Sequence, residues 1–173
     1  MRILIDMDDV IADATGKILE RYEEVFGVKV PREQLNGRYL REVFPDQVDI
    51  IRTFPREPGF FRHLAVIPDS QEVVRALNEL HEVFIVSAAM EFPDSLKEKY
   101  EWMQDHFPFI SWKNIVFCGH KYMIAADYLI DDHVKNLEPF TGKALMFTAP
   151  HNMQVTGFTR VNNWQEVASL LLG

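Results

Sequence analysis

The feature that most constrains the fold is a set of short apolar segments that recur along the chain, with helical periodicity between most of them. These segments are residues 2–5, 83–86, 115–117, 128–130 and 144–147. Apolar runs this short are typical of strands buried on both faces of a sheet. Strands separated by helices pair in parallel through crossover connections. The pattern therefore predicts an α/β fold built on a doubly wound parallel sheet.

Helices are predicted at residues 14–26, from residue 70, from residue 95 and from residue 164. Gly27 ends the first of them, and Asp69 with Ser70 is expected to cap the second. Between residues 29 and 66 the periodicity fades, because prolines at positions 31, 45, 55 and 58 interrupt it. We interpret residues 14–66 as a small, mostly helical cap inserted after the first strand. The core then comprises residues 1–13 and 67–173.

Polar residues follow the predicted strands at their carboxyl ends. In open α/β sheets this edge binds ligands. The residues at this edge are Asp6, Asp8, Ser87, Lys121 and the pair Asp131-Asp132. Taken singly, each has an ordinary explanation as a solvated loop residue, a capping residue or a surface lysine. Their convergence on one edge is the strongest functional signal in the sequence.

Asp6 and Asp8 are two positions apart, so on an extended segment their side chains project to the same side. Asp6 and Asp131 would supply hard oxygen ligands suited to Mg²⁺. A carboxylate and a phosphate repel each other, and Mg²⁺ with Lys121 would cancel that repulsion. We therefore predict a phosphatase in which Asp6 attacks phosphorus and forms an acyl phosphate, while Asp8 transfers the proton.

Ser87 ends the strand FIVS. Its hydroxyl and the amides that follow it, beginning with Ala88, are predicted to hold phosphate oxygens. Capping of a turn is the alternative role for this serine.

Composition limits the partners. The net charge of −8 over 173 residues argues against clamping of a nucleic-acid polymer. No segment has the pattern of a signal peptide or a membrane span. Cys118 is the single cysteine, so a reducing cytoplasm is the expected location. The sequence does not give the oligomeric state, and a homodimer is left open.

The segment DMDDV, the strand end at Ser87, Lys121 and the segment LIDD resemble, in order, the four motifs of the haloacid dehalogenase-like (HAD) phosphatases. Three longer segments resemble the 5′(3′)-deoxyribonucleotidases of that superfamily. They are FFRHLAVIPDSQEVVRAL, EKYEWMQDHF and HKYMIAADYLIDD. The resemblance implies the Rossmann-like HAD fold and a deoxynucleoside monophosphate as substrate. A phosphatase for a sugar phosphate and a non-catalytic binder of Mg²⁺ and phosphate remain the alternatives.

Carried over to this sequence, the resemblance implies that Asp6 is the nucleophile and Asp8 the general acid and base. Mg²⁺ would bind a carboxylate oxygen of Asp6, the backbone carbonyl of Asp8 and a carboxylate oxygen of Asp131. Ser87 and Lys121 would bind the phosphate.

Phe60 and Phe61 resemble aromatics that stack on the substrate at the cap hinge. Three departures bear on base preference: Asp9 replaces a frequent glycine, SAA replaces T-S-P after the second motif, and Ala14 replaces an aromatic residue of some relatives.

Overall fold

Six parallel strands form one sheet in a computed structural model that describes residues 1–173. The strands are β1 (Arg2–Ile5), β2 (Glu82–Ser87), β3 (Ile115–Phe117), β4 (Tyr128–Asp131), β5 (Lys143–Phe147) and β6 (Thr159–Val161). Their order across the sheet is β3-β2-β1-β4-β5-β6. The order reverses at β1, whose neighbours are β2 and β4. The carboxyl ends of these three central strands therefore meet where ligands bind in such sheets.

The central strands are buried on both faces of the sheet. Ile3 and Ile5 of β1 point into the larger apolar core, whereas Leu4 points into the smaller one on the opposite face. Successive side chains of a strand alternate between faces, so each face needs its own cover. This arrangement confirms the predicted doubly wound α/β fold.

The chain also forms seven α-helices. They are α1 (Ala14–Phe26), α2 (Leu40–Val43), α3 (Val48–Ile51), α4 (Ser70–Leu80), α5 (Ser95–His106), α6 (Val134–Leu137) and α7 (Trp164–Leu171). The four long helices begin at the predicted residues, and Gly27 ends α1 in the left-handed conformation with φ of 68°. None of the helices has both the length and the apolar character that crossing a lipid bilayer requires.

The predicted capping of α4 is wrong. Asp69 adopts a left-handed conformation, with φ of 64°, and its side chain bonds to no amide of the helix. The Ser70 hydroxyl instead donates to the carbonyl of Ile67 at 2.7 Å. Strand β6 and helix α6, which have three and four residues, were not predicted from the sequence.

The chain leaves the core after β1 and returns to it at adjoining points. The amide of Asp13 donates to the carbonyl of Ala65 at 2.8 Å, and that of Ile67 donates to the carbonyl of Ile11 at 2.9 Å. Between these points the chain forms α1, α2, α3 and short 3₁₀ turns, with no strand. The division into a cap of residues 14–66 and a core stays a prediction.

Candidate active site

Asp6 lies at the carboxyl end of β1, buried between the neighbouring strands. Its side chain is only 8% exposed. Oδ1 accepts a hydrogen bond from the amide of Met7 at 2.7 Å and lies 2.6 Å from Nζ of Lys121. Oδ2 accepts no hydrogen bond, so one oxygen of this carboxylate keeps its lone pairs available.

Lys121 joins the first and fourth motifs. It opens a 3₁₀ turn between β3 and β4 and is 1% exposed. Its Nζ lies 2.6 Å from Asp6 Oδ1 and 2.6 Å from Asp131 Oδ2. Burial alone would lower the pKa of this lysine, but the carboxylates of Asp131 and Asp6 outweigh burial and raise it. Lys121 is therefore a fixed positive charge beside the expected nucleophile.

Burial sets the charge of Asp6 in the absence of a metal ion. It raises the pKa of Asp6 to about 7. The charge of Lys121 lowers this pKa, whereas the charges of Asp131 and Asp8 raise it further. A divalent cation at this position would reverse the effect, because its charge favours the carboxylate.

The two acids that end β4 differ in their partners. Asp131 Oδ1 accepts hydrogen bonds from the amide of His133 at 2.8 Å and from Asn136 Nδ2 at 3.0 Å. Its Oδ2 accepts from Lys121. Asp132 is equally buried, yet its Oδ1 has no hydrogen-bond partner. Burial, helped by the charge of Asp131, raises the pKa of Asp132 well above its ordinary range.

Carboxylate oxygens of Asp6, Asp131 and Asp132 lie within 4.8 Å of one another. An all-oxygen set of this kind suits Mg²⁺ rather than a softer ion. The buried oxygen of Asp132 that lacks a partner also fits a site for a cation, since a buried charge without a partner is costly. Asp131 is the ligand predicted from this pair, and the geometry adds Asp132 to the candidates.

Asp8 and Ser87 are brought together by a lysine that the sequence analysis missed. Lys99, on α5, is 1% exposed. It donates hydrogen bonds to Asp8 Oδ2 and, at 3.0 Å, to Ser87 Oγ. The buried face of α5 consists of Ser95, Lys99, Trp102 and Met103. Lys99 follows the helical spacing of the buried residues of α5. A lysine at that spacing was the signal in the sequence that could have revealed this contact.

Ser87 is the last residue of β2, and Ala88 leads from it into the 3₁₀ turn Ala89–Glu91. This connection runs directly from the strand end into the loop that was predicted to bind phosphate. Phosphate binding by Ser87 and Ala88 stays a prediction.

The two phenylalanines proposed at the hinge are buried, with 3% of Phe60 and 4% of Phe61 exposed. Their rings are in edge contact, with centroids 4.9 Å apart. Phe61 approaches the site, because Nζ of Lys99 lies 4.3 Å from its ring centroid. Substrate stacking by either ring stays a prediction.

Asp9 occupies a left-handed position, with φ of 56°. Asparagine and aspartate adopt this conformation more readily than most residues, and glycine adopts it freely. The carboxylate accepts hydrogen bonds from the amide of Thr15 at 2.7 Å and from its hydroxyl at 2.6 Å. Asp9 thus joins the first-motif loop to the start of α1, in a backbone conformation that glycine also adopts.

A protein-family model described as "5′ nucleotidase, deoxy (Pyrimidine), cytosolic type C protein" matches residues 1–173. The chain belongs to this family. A Staphylococcus epidermidis protein, provisionally named 5′(3′)-deoxyribonucleotidase, is 46% identical over 166 residues, covering 96% of this chain and 93% of the relative. The 5′(3′)-deoxyribonucleotidase of Bacillus subtilis is 38% identical over 173 residues, covering 98% of each chain. The family resemblance inferred from the motifs is confirmed.

Solved structures share the fold at low sequence identity. An HAD family hydrolase of Deinococcus radiodurans, with bound phosphate and sodium, has a TM-score of 0.66 at 17% identity, covering 98% of this chain and 94% of that one. A magnesium-bound Bacillus subtilis protein, provisionally assigned as an HAD hydrolase, has a TM-score of 0.61 at 14% identity, covering 98% and 97%. These likenesses confirm the HAD-like fold.

Family membership also settles the enzyme class. The chain is a phosphoric monoester hydrolase of the deoxyribonucleotidase type.

Proposed function

We propose that this enzyme hydrolyses deoxynucleoside monophosphates to nucleoside and phosphate through an aspartyl-phosphate on Asp6. The observation that carries the proposal is the environment of Asp6. One oxygen is fixed by Lys121 and a backbone amide, while the other accepts no hydrogen bond. A nucleophile needs a fixed orientation and a free lone pair, and Asp6 has both.

In the first step, the free oxygen of Asp6 attacks phosphorus, an O–P bond forms, and the bond to the nucleoside oxygen breaks. Asp8 gives its proton to that leaving oxygen. In the second step Asp8 takes a proton from water, which attacks the phosphoryl group and releases Asp6. Lys121 neutralises negative charge on the phosphoryl oxygens throughout, and Ser87 would orient them.

We propose that Mg²⁺ is the cofactor, held by carboxylate oxygens of Asp6 and Asp131 and by the backbone carbonyl of Asp8, with Asp132 as a further candidate ligand. When bound, the ion supplies positive charge that reduces repulsion between Asp6 and the substrate phosphate. The close grouping of the carboxylate oxygens of Asp6, Asp131 and Asp132 supports this assignment.

A cleft of about 420 Å³ reaches Glu91 and Phe92, in the loop after Ser87, and is proposed to receive the nucleoside; Asp6, Asp8, Ser87 and Lys121 do not line it. Pockets of this size hold small organic ligands. It runs between the segment of residues 14–66 and the loop that follows Ser87. Its lining residues are Ile18, Arg41, Ile51, Arg52, Pro55, Arg56, Glu91 and Phe92. None of the three arginines forms a salt bridge, so their guanidinium donors are available to a nucleotide.

Two other functions are less well supported. A sugar phosphate would leave much of the arginine-lined cleft unfilled. A non-catalytic binder of Mg²⁺ and phosphate has no use for Asp8, whereas here a buried lysine holds this acid in place. The word cytosolic in the family description supports a proposed cytoplasmic location. A free nucleotide, rather than a polymer or a membrane, is the proposed partner.

The decisive experiment tests Asp6 directly. We expect Asp6→Ala to abolish turnover of deoxynucleotides while circular dichroism and thermal unfolding show a folded protein. In the wild type, brief incubation with ³²P-labelled substrate and acid quenching should leave label on Asp6. A folded Asp6→Ala variant with substantial activity would refute the covalent mechanism.

A further inference from the structure

Two histidines and a tyrosine that have no role in the proposed reaction cluster around Asp132, beside the catalytic residues. His133 precedes α6, His151 lies in a 3₁₀ turn after β5, and Tyr39 precedes α2. The rings of His151 and Tyr39 stack with centroids 4.6 Å apart and an interplanar angle of 11°. The two imidazole rings are 4.8 Å apart.

The potential ligand atoms in this cluster converge on one point. Oδ2 of Asp132 lies 3.3 Å from Nε2 of His151 and 3.7 Å from Nε2 of His133. One ligand atom from each of the three residues lies within 4.8 Å of the others. Two imidazole nitrogens and one carboxylate oxygen form a donor set typical of Zn²⁺, and three protein ligands leave a fourth position for water or substrate.

Two of these side chains are buried with a polar atom left without a partner. Asp132 and His151 have side chains 2% and 7% exposed. Oδ1 of Asp132 and Nδ1 of His151 form no hydrogen bond. Unpaired polar atoms are rare inside proteins and call for an explanation. They are not the converging atoms themselves: Oδ2 of Asp132 and Nε2 of His151 face each other, and Nε2 also lies 3.3 Å from the carbonyl oxygen of Asp132, a contact that a bound metal ion would replace.

The geometry points to a second metal site, formed by Asp132, His133 and His151, that takes Zn²⁺ or a similar borderline transition ion. Its nitrogen donors distinguish it from the all-oxygen set proposed for Mg²⁺. Asp132 belongs to both sets, so occupancy of one site affects the other. Zinc bound here competes for a carboxylate beside Asp131 and lowers turnover supported by Mg²⁺.

Tyr39 acts as a positioning residue for this site. Its hydroxyl lies 3.1 Å from Nδ1 of His133. With the proton on Nδ1, this nitrogen donates to the tyrosine oxygen and leaves Nε2 free to bind the metal. The same contact ties the segment of residues 14–66 to the core, so zinc binding also strengthens that contact.

Calorimetry of the untagged protein with Zn²⁺, in excess Mg²⁺, tests the site without reference to turnover. We expect binding of one zinc ion, and with Co²⁺ a visible absorption spectrum of nitrogen ligation. His151→Ala should weaken zinc binding by about 100-fold or more, and Tyr39→Phe by about 10-fold while keeping the stacked ring. His63→Ala, which removes an exposed histidine outside the cluster, is the matched control.

Zinc affinity and the cobalt spectrum that are unchanged in His151→Ala, His133→Ala and Tyr39→Phe would overturn the proposal. If one variant fails to fold, the other two decide, because each removes a different group. Inhibition of the Mg²⁺-supported reaction by Zn²⁺ should be relieved in His151→Ala but not in His63→Ala. Equal inhibition in both variants would contradict the coupling through Asp132.

Discussion

Lys99, in the middle of α5, donates a hydrogen bond from its buried ammonium group to the carboxylate of Asp8. The same group lies 3.0 Å from Ser87 Oγ. The helix that follows the proposed phosphate loop therefore orients the proposed proton donor and a proposed phosphate ligand together. Positions held by one buried group are coupled, so removal of that group should disturb both.

Lys99→Met is expected to lower kcat for deoxynucleotides by about 100-fold, because a displacement of catalytic groups by about 1 Å has effects of that size. The methionine is similar in size but removes the charge, and with it the contact of Nζ with the ring of Phe61. Lys97→Met is the matched control, since Lys97 lies on the same helix with its side chain 83% exposed. Steady-state kinetics and thermal unfolding of both variants provide the measurement, and equal kcat values in the two would refute this role for Lys99.

Asp8→Asn should separate the two chemical steps. We expect a loss of about 10²- to 10⁴-fold with a deoxynucleotide, whose leaving oxygen needs a proton. With p-nitrophenyl phosphate, whose leaving group needs none, the first step should persist and the second should stall. Rapid-quench measurements should then show a burst of p-nitrophenol and phosphate bound to Asp6. Equal losses on both substrates, without a burst, would exclude Asp8 as the general acid.

Asp6 should make stability depend on pH when metal ions are removed. Its carboxyl group has an ordinary pKa of 3.8, and burial raises the folded-state pKa to about 7. Between these values the folded state holds a proton that the unfolded state has lost, so the free energy of unfolding falls as pH rises and levels off above the higher value. Asp6→Asn removes this titration.

With a chelator present, we therefore expect Asp6→Asn to match the wild type near pH 4 and to exceed its stability by a few kcal/mol at most above about pH 7. Urea unfolding across this range measures the difference. Adding Mg²⁺ should reduce the difference in free energy of unfolding between Asp6→Asn and the wild type at high pH, because an ion that binds the folded wild type stabilises it. A stability difference that does not change with pH would contradict the raised pKa.

Activity should require Mg²⁺ and disappear with excess chelator, because the carboxylates of Asp6, Asp131 and Asp132 need a compensating charge. Ca²⁺ should inhibit, since its larger and less regular coordination shell would misplace the reacting groups. Initial rates after metal removal and replacement test both statements. Full turnover in excess chelator would show that the carboxylate cluster works without a metal ion.

The arginine-lined cleft should set substrate preference. We expect kcat/KM to be higher for deoxynucleoside monophosphates than for hexose phosphates, and Arg56→Ala to raise KM for nucleotides more than kcat falls. Arg75→Ala is the control, because Arg75 lies over the ring of Phe109 and outside the cleft.

Phe61→Leu and Phe60→Leu test the predicted stacking of these two rings on the substrate. Each substitution keeps an apolar side chain at its buried position. If hexose phosphates are hydrolysed more efficiently than every deoxynucleotide tested, the substrate proposal is wrong.

The positions of the strands along the chain explain which residues of the site could be predicted from the sequence. Asp6, Ser87 and Asp131 each end an apolar strand, and parallel strands bring such ends to one edge. The role of Lys99 depends on which face of α5 is buried. Helical periodicity can predict that face, but it does not show which residues the face contacts. His151 lies in a segment without strong periodicity, and its contact with Asp132 arises only from tertiary packing. The three-residue strand β6 was missed because Val161 is its only apolar residue, whereas the equally short β3 at the other edge is apolar throughout.

The indole N–H of Trp164, at the start of α7, donates to the carbonyl of Val10 at 2.8 Å. Val10 directly follows Asp9 in the first-motif segment, so a residue 154 positions further along the chain supports the loop that carries Asp8. During synthesis α7 therefore leaves the ribosome long after the loop that it supports. Nascent chains that stop before α7 would carry the nucleophile and lack its full support, and phosphatase activity would appear only once α7 has been made.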